Sequence, residues 1–125
     1  MDKYNILDCT LRDGGYINKW KFHDEAISDI IERLINAGLD FVEVGYLNNA
    51  GAACDTTQFL TVPQIRQYLP KQRGSCILLA MADVQQYRPE DLTPCTGDSI
   101  DGIRVVFYKR QVEEAMVLAR AVIEN

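Results

Sequence analysis

Residues 75–82 read SCILLAMA, an apolar run that is almost unbroken from Ser75 to Ala82. A strand with one wet face would place a polar residue at every second position, and none occurs between Cys76 and Ala82. A run of this kind suits a strand covered on both faces, as in a parallel sheet packed under helices.

The segments on either side carry the same message. Upstream, Asp40 to Tyr46 (DFVEVGY) reads as a strand, followed by a polar loop from Leu47 to about Thr61 and a helix expected from Pro63 to Leu69. Before that strand, Ile27, Ile30, Ile31, Leu34 and Ile35 recur at helical spacing. Asp24 is the expected N-cap of this helix, and Gly38 its terminating glycine. Tyr4 to Cys9 reads as the first strand, and Gly14–Gly15 is expected to break regular structure after it. Downstream, Pro89 and Pro94 leave room for no more than a short helix around Glu90–Leu92. Ile103 to Tyr108 then reads as the fourth strand. Gln111 to Glu124 is the last helix, with Val112, Ala115, Met116, Ala119, Val122 and Ile123 on its apolar face.

A strand followed by a helix, four times over, implies an α/β fold with a mainly parallel sheet. Two architectures fit: a complete doubly wound sheet, or a (β/α)4 half of a TIM barrel, whose whole takes about 250 residues. At 125 residues the chain is read as a single domain, residues 1–125.

With 47% apolar and 25% charged residues, the composition is that of a soluble globular protein. A formal charge of -5 without a basic block excludes nucleic acid and anionic membrane as expected partners. No apolar run approaches the ~20 residues of a spanning helix, so the expected location is cytoplasmic. Cys9, Cys54, Cys76 and Cys95 form no CxxC pair, and two of them sit in apolar, strand-like runs, so free buried thiols are expected rather than a disulfide framework.

Functional groups on such sheets gather where strands end. The first strand ends in Arg12-Asp13-Gly14-Gly15, where a carboxylate suits a hard cation and a guanidinium fork suits an anion. Solvated loop charges and a plain turn would look the same. Glu43 stands inside Phe41-Val42-Glu43-Val44-Gly45, on the face opposite Val42 and Val44, where burial without a partner is costly. Arg12 is the nearest candidate partner, and a structural ion pair is the plain alternative. Arg104, inside Ile103–Tyr108, either lines an interior or braces a carboxylate. His23, the one histidine, reads as a surface or capping residue. Tyr16, Asn18 and Trp20 either close over a substrate or pack their loop, and Asn48 and Asn49 are hydrogen-bonding groups or turn formers. Nucleotide-binding and serine-hydrolase motifs are absent.

The string LDCTLRDGGYINKWKF from Leu7, followed by AGLDFVEVGY from Ala37, resembles the N-terminal half of the DRE-TIM metallolyase superfamily. That superfamily includes 3-hydroxy-3-methylglutaryl-CoA lyase, and the Gly-Gly-Tyr version looks most like its 4-hydroxy-2-oxovalerate aldolase-like members. The resemblance implies an aldolase or lyase that cleaves or forms a carbon–carbon bond on a 2-oxo acid or hydroxy-oxo acid with Mn2+ or Mg2+. It implies Asp13 as a metal ligand, Arg12 as the residue that stabilises an enolate, and Glu43 as the acid that supports Arg12. Tyr16 and Asn48 are the expected substrate-binding residues.

Two features depart from the family. Tyr16 stands where a histidine base is expected, and the His-x-His metal ligands of the second barrel half have no counterpart here. The segment alone is therefore expected to be inactive and to bind metal weakly, and its open half-barrel surfaces are expected to drive self-association. The alternatives are an acyl-CoA-dependent condensing enzyme of the isopropylmalate synthase kind and a non-catalytic half-barrel assembly module.

Overall fold

The computed structural model describes residues 4–125. Four strands form the path of one parallel sheet: β1 (Leu7–Asp8), β2 (Phe41–Leu47), β4 (Ile77–Asp83) and β5 (Gly102–Val106), hydrogen-bonded in that order. Along that path the strands follow chain order, so among the described residues there is no reversal of strand order of the kind that marks a doubly wound sheet. A short strand, β3 (Gln58–Phe59), pairs with Tyr46 and Leu47 of β2, beyond the point where β1 has left it. No periodic pattern marks β3, because two residues are too few to show one.

Helices α2 (Asp24–Asn36) and α4 (Val112–Glu124) cover one face of the sheet. The single core there joins Ile27 and Ile31 of α2 and Leu118 of α4 to Val42, Val44 and Leu47 of β2 and to Leu78, Ala80 and Ala82 of β4. Strand pairing puts the remaining strand residues on the opposite face: Glu43 lies against Leu79, Tyr46 against Met81, and Met81 against Arg104. Helices on one face with strands in sequential order match a barrel wall, which answers the choice that the sequence left open.

Between the two strand faces, β2 contains a bulge. Glu43 pairs with Leu79 but Gly45 pairs with Ala80, so Val44 is an extra residue. Val44 and Gly45 both turn toward the core, and a side chain at Gly45 would strike the Thr57 carbonyl and the Phe59 ring. Simple alternation would have put Tyr46 in the core with Val42 and Val44. The bulge puts it on the face of Glu43 instead.

Several boundaries differ from expectation. The first strand is shorter than Tyr4–Cys9, because Thr10 to Asp13 already curl into a turn held by Arg12 and Asp13 amides on the Cys9 carbonyl, at 3.1 and 2.7 Å. Gly15–Asn18 is a short helix, α1, in place of a break. His23, not Asp24, caps α2, with extended backbone and its carbonyl accepting from Ile27. The Asp24 carboxylate is occupied elsewhere, by the Tyr68 hydroxyl at 2.6 Å and the Asp55 amide at 2.7 Å. Gly38 ends the helix as expected: its φ is +81°, its amide reaches Ile35, and Leu39 reaches back to Leu34.

The second helix is α3 (Val62–Ile65) continued by a 3-10 turn, Arg66–Tyr68. The prolines allow only the 3-10 turn Pro89–Asp91. A further 3-10 turn, Lys109–Gln111, leads into α4, which buries Ala115 and Leu118; Val112, Met116 and Ile123 of the expected apolar face are exposed. All four cysteines are free, but only Cys76 is buried; Cys9 is half-buried, and Cys54 and Cys95 are exposed. No helix among the described residues is long and apolar enough to cross a membrane.

Candidate active site

Parallel strands bring the chain's two charge anomalies together. Glu43 projects from the middle of β2 and is fully buried. Arg12 follows β1 by one turn, and its Nε donates to Glu43 Oε1 at 2.5 Å. Arg104 arrives from β5, two strands away, and grips the same carboxylate twice: Nε to Oε2 at 2.7 Å and Nη2 to Oε1 at 2.9 Å. Burial is the largest influence on the Glu43 carboxyl and acts to raise its pKa. The two guanidiniums together outweigh it and hold the group below its ordinary value. Arg104 is therefore the brace of a carboxylate, one of the two roles its sequence context left open.

The second nitrogen of Arg12, Nη1, donates to Asp13 Oδ1 at 3.1 Å. The Arg12 side chain is only 14% exposed, whereas that of Asp13 is 66% exposed. One guanidinium thus links a buried carboxylate to a solvent-facing one at the carboxyl rim of the sheet. The Cys9 thiol also lies within hydrogen-bond reach of the Arg12 side chain.

The backbone under Arg12 is fixed from both sides. Thr57, fully buried, donates its hydroxyl to the Leu11 carbonyl at 2.7 Å. The Trp20 indole N–H donates to the Arg12 carbonyl at 2.7 Å. Trp20 reaches that position because Lys19 and Trp20 both adopt left-handed backbone, with φ of 58° and 56°. Each such residue costs on the order of 1–2 kcal/mol, which the ring contacts offset. The indole lies where a Gly15 side chain would be, 4.6 Å from the Tyr16 ring and 6.1 Å from the Tyr46 ring. Of the two readings of Trp20, the structure shows the packing one.

Tyr16 rests edge-on against Trp20 and is 64% exposed. Asn48 is buried at the end of β2, where its amide donates to Gln86 at 2.6 Å and its oxygen accepts from the Ala50 amide at 2.7 Å. Asn49 is exposed. His23 is 92% exposed and lies 3.6 Å from Asp55. Two residues not singled out in the sequence also stand on the site face. Tyr46 is buried there, and Asp83 ends β4 opposite Val106. Tyr46 carried no legible signal, because simple alternation assigns it to the core; Asp83 carried only its position at a strand end.

This site lies on an open face of the sheet. Two clefts lie elsewhere: one of about 80 Å³ bordered by Arg66, Thr93 and Val122, the other of about 630 Å³ bordered by Lys21, Cys54 and Gln58. Neither is lined by Arg12, Asp13 or Glu43. Among the described residues no three side chains of the metal-binding types cluster.

Comparison with known proteins agrees with this picture in kind. The chain is 27% identical over 119 residues to the oxaloacetate decarboxylase of Mycobacterium tuberculosis, a match that covers 89% of this chain and 33% of that protein. It superposes on the crystal structure of the N-terminal domain of a Bacteroides vulgatus protein provisionally designated an aldolase, with a TM-score of 0.69 and 27% identity. That match covers 97% of this chain and 41% of the other. No protein-family model matches. The chain thus spans about a third of the curated relative, and its similarities are to enzymes of the lyase and aldolase kind.

Proposed function

We propose that this chain is the first half of a (β/α)8 barrel enzyme of the DRE-TIM kind. In this reading the parent protein breaks or forms a carbon–carbon bond beside the oxo group of a 2-oxo acid. The observation that carries the reading is the Arg12 fork, anchored on buried Glu43 and extended to Asp13 at the rim of parallel strands. Breaking a bond to the carbon next to an oxo group leaves an enolate, and its negative charge needs a cation already in place. Arg12 is such a cation. Its orientation is set in advance by Glu43, Trp20 and Thr57, so little reorganisation remains to be done during reaction. The similarity to an oxaloacetate decarboxylase supports a 2-oxo acid as substrate.

Dependence on a divalent metal, Mn2+ or Mg2+, belongs to the same proposal. Asp13 is its one candidate ligand here, which is too few for a hard cation. In this reading the other ligands lie outside these residues, and the segment by itself is inactive.

The test is turnover by the full-length protein supplied with Mg2+ or Mn2+. Pyruvate should form from oxaloacetate or from a 4-hydroxy-2-oxo acid. Arg12→Lys, which keeps the charge but loses the fork, should lower kcat/KM by about 10²–10³ with the fold intact. Absence of turnover on either substrate rejects the reading, and consumption of acetyl-CoA together with a 2-oxo acid would select the condensing reaction instead.

A further inference from the structure

Three tyrosines of this chain are almost completely buried: Tyr46 at 5%, Tyr68 at 3% and Tyr87 at 1% exposure. Buried phenols normally find a hydrogen-bond partner. The Tyr68 hydroxyl donates to Asp24 at 2.6 Å, and that of Tyr87 donates to the Asp91 carbonyl at 3.0 Å. The Tyr46 hydroxyl has no partner among the described residues, although the rest of the side chain is packed. Nor is its oxygen sealed in: the one fully enclosed, unpartnered side-chain oxygen or nitrogen among the described residues is the Thr93 hydroxyl. The Tyr46 oxygen therefore opens onto the sheet face it shares with Glu43 and Arg104.

Its surroundings are those of the Arg12 site. The β2 bulge turns Tyr46 to the face of Glu43, with Met81 beside it and Arg104 beyond. Trp20, which anchors the Arg12 carbonyl, lies against the Tyr46 ring. The backbone is held on both edges, by the Thr57 carbonyl at 2.8 Å and by β4, so the ring is presented from a rigid strand. Burial, then Asp83, then Tyr16 raise the phenol to about 12, with Arg12 acting weakly the other way. At neutral pH Tyr46 is a neutral donor and not a base.

We infer that Tyr46 is a substrate-contacting residue, whose hydroxyl donates a hydrogen bond to an oxygen of the anionic 2-oxo acid or enolate that Arg12 neutralises. No proton is transferred, since the phenol supplies a second donor beside the guanidinium. The inference rests on the proposed lyase reading and adds to it Tyr46, a residue to which the family resemblance assigns no role.

The experiment uses Tyr46→Phe in the full-length protein, with Tyr68→Phe and Tyr87→Phe as comparisons. In thermal unfolding without ligand, Tyr46→Phe should leave Tm unchanged, because no protein group loses a partner, while Tyr68→Phe and Tyr87→Phe should lower it. Oxalate, a planar dianion shaped like the enolate of pyruvate, is then titrated in by calorimetry in the presence of Mg2+. Tyr46→Phe should weaken its binding about 10–100-fold, as expected for a lost hydrogen bond to a charged group, and Tyr87→Phe should not. A Tm loss for Tyr46→Phe as large as that for Tyr68→Phe would show a structural partner and overturn the inference. Equal oxalate binding by the unsubstituted and Tyr46→Phe proteins overturns it while leaving the lyase reading intact. Failure of the unsubstituted protein to bind oxalate overturns both.

Discussion

At the scale of single residues, the Glu43 carboxylate decides most. It is fully buried between two guanidiniums, and an unpaired charge in that position is far more costly than the pair. Glu43→Gln keeps the shape but removes the buried charge between Arg12 and Arg104, leaving only the exposed Asp13 beside Arg12. The expected loss of stability is about 3–5 kcal/mol, measurable by urea unfolding at neutral pH. The pH dependence follows from the same pair. The folded-state pKa of Glu43 lies below the ordinary 4.5, so its contribution is complete above that value and disappears as pH falls through the lower one. Unfolding curves collected below about pH 4.5 should show this loss in the native sequence, and the slope should be shallower in Glu43→Gln. An unchanged slope would mean that the carboxylate is not held by the two arginines.

Among the elements, β2 and the loop after β1 do the positioning. The bulge at Val44 and Gly45 depends on the close approach of β3, because a methyl group at Gly45 meets the Thr57 carbonyl and the Phe59 ring. Gly45→Ala is expected to destabilise the chain by about 1–3 kcal/mol and to disturb the Thr57 contacts to Leu11 and Trp20, which carry the Arg12 turn. Hydrogen exchange gives the specific readout: amides of residues 12–20 and 56–59 should lose protection together, while those of α4 keep theirs. Uniform loss across the chain would instead indicate general destabilisation.

For the molecule as a whole, one sheet face is covered by helices and the other carries the Arg12 site in the open. Apolar side chains stand exposed near both ends of the strand order: Ile6 at 58% and Leu7 at 40% by β1, Phe107 at 47% and Tyr108 at 62% after β5. Unpaired strand edges and exposed apolar area of this kind favour association. A polypeptide of this extent is expected to self-associate in isolation, with its sedimentation coefficient rising with concentration. A constant monomer mass over the whole range would contradict this. In a protein of the length of the matched relatives, the remaining two thirds of the chain would compete for the same surfaces.

What the sequence determined by itself was the alternation of elements and the conflict they contain. Short-range periodicity encodes strand and helix directly, which is why α2, β2, β4 and α4 were legible to within a few residues. A carboxylate among β-branched residues must meet a cation, so the link from Glu43 to Arg12 could be read from residues far apart in the chain. Tertiary structure alone decided the rest. Strand order separated a barrel wall from a doubly wound sheet, and Arg104 reached Glu43 only because β5 lies beyond β4. Tyr46 is the clearest case. Period-two alternation sends it to the core, and one extra residue in β2 turns it to the site, because a bulge arises from strand pairing and leaves no periodic mark in the chain.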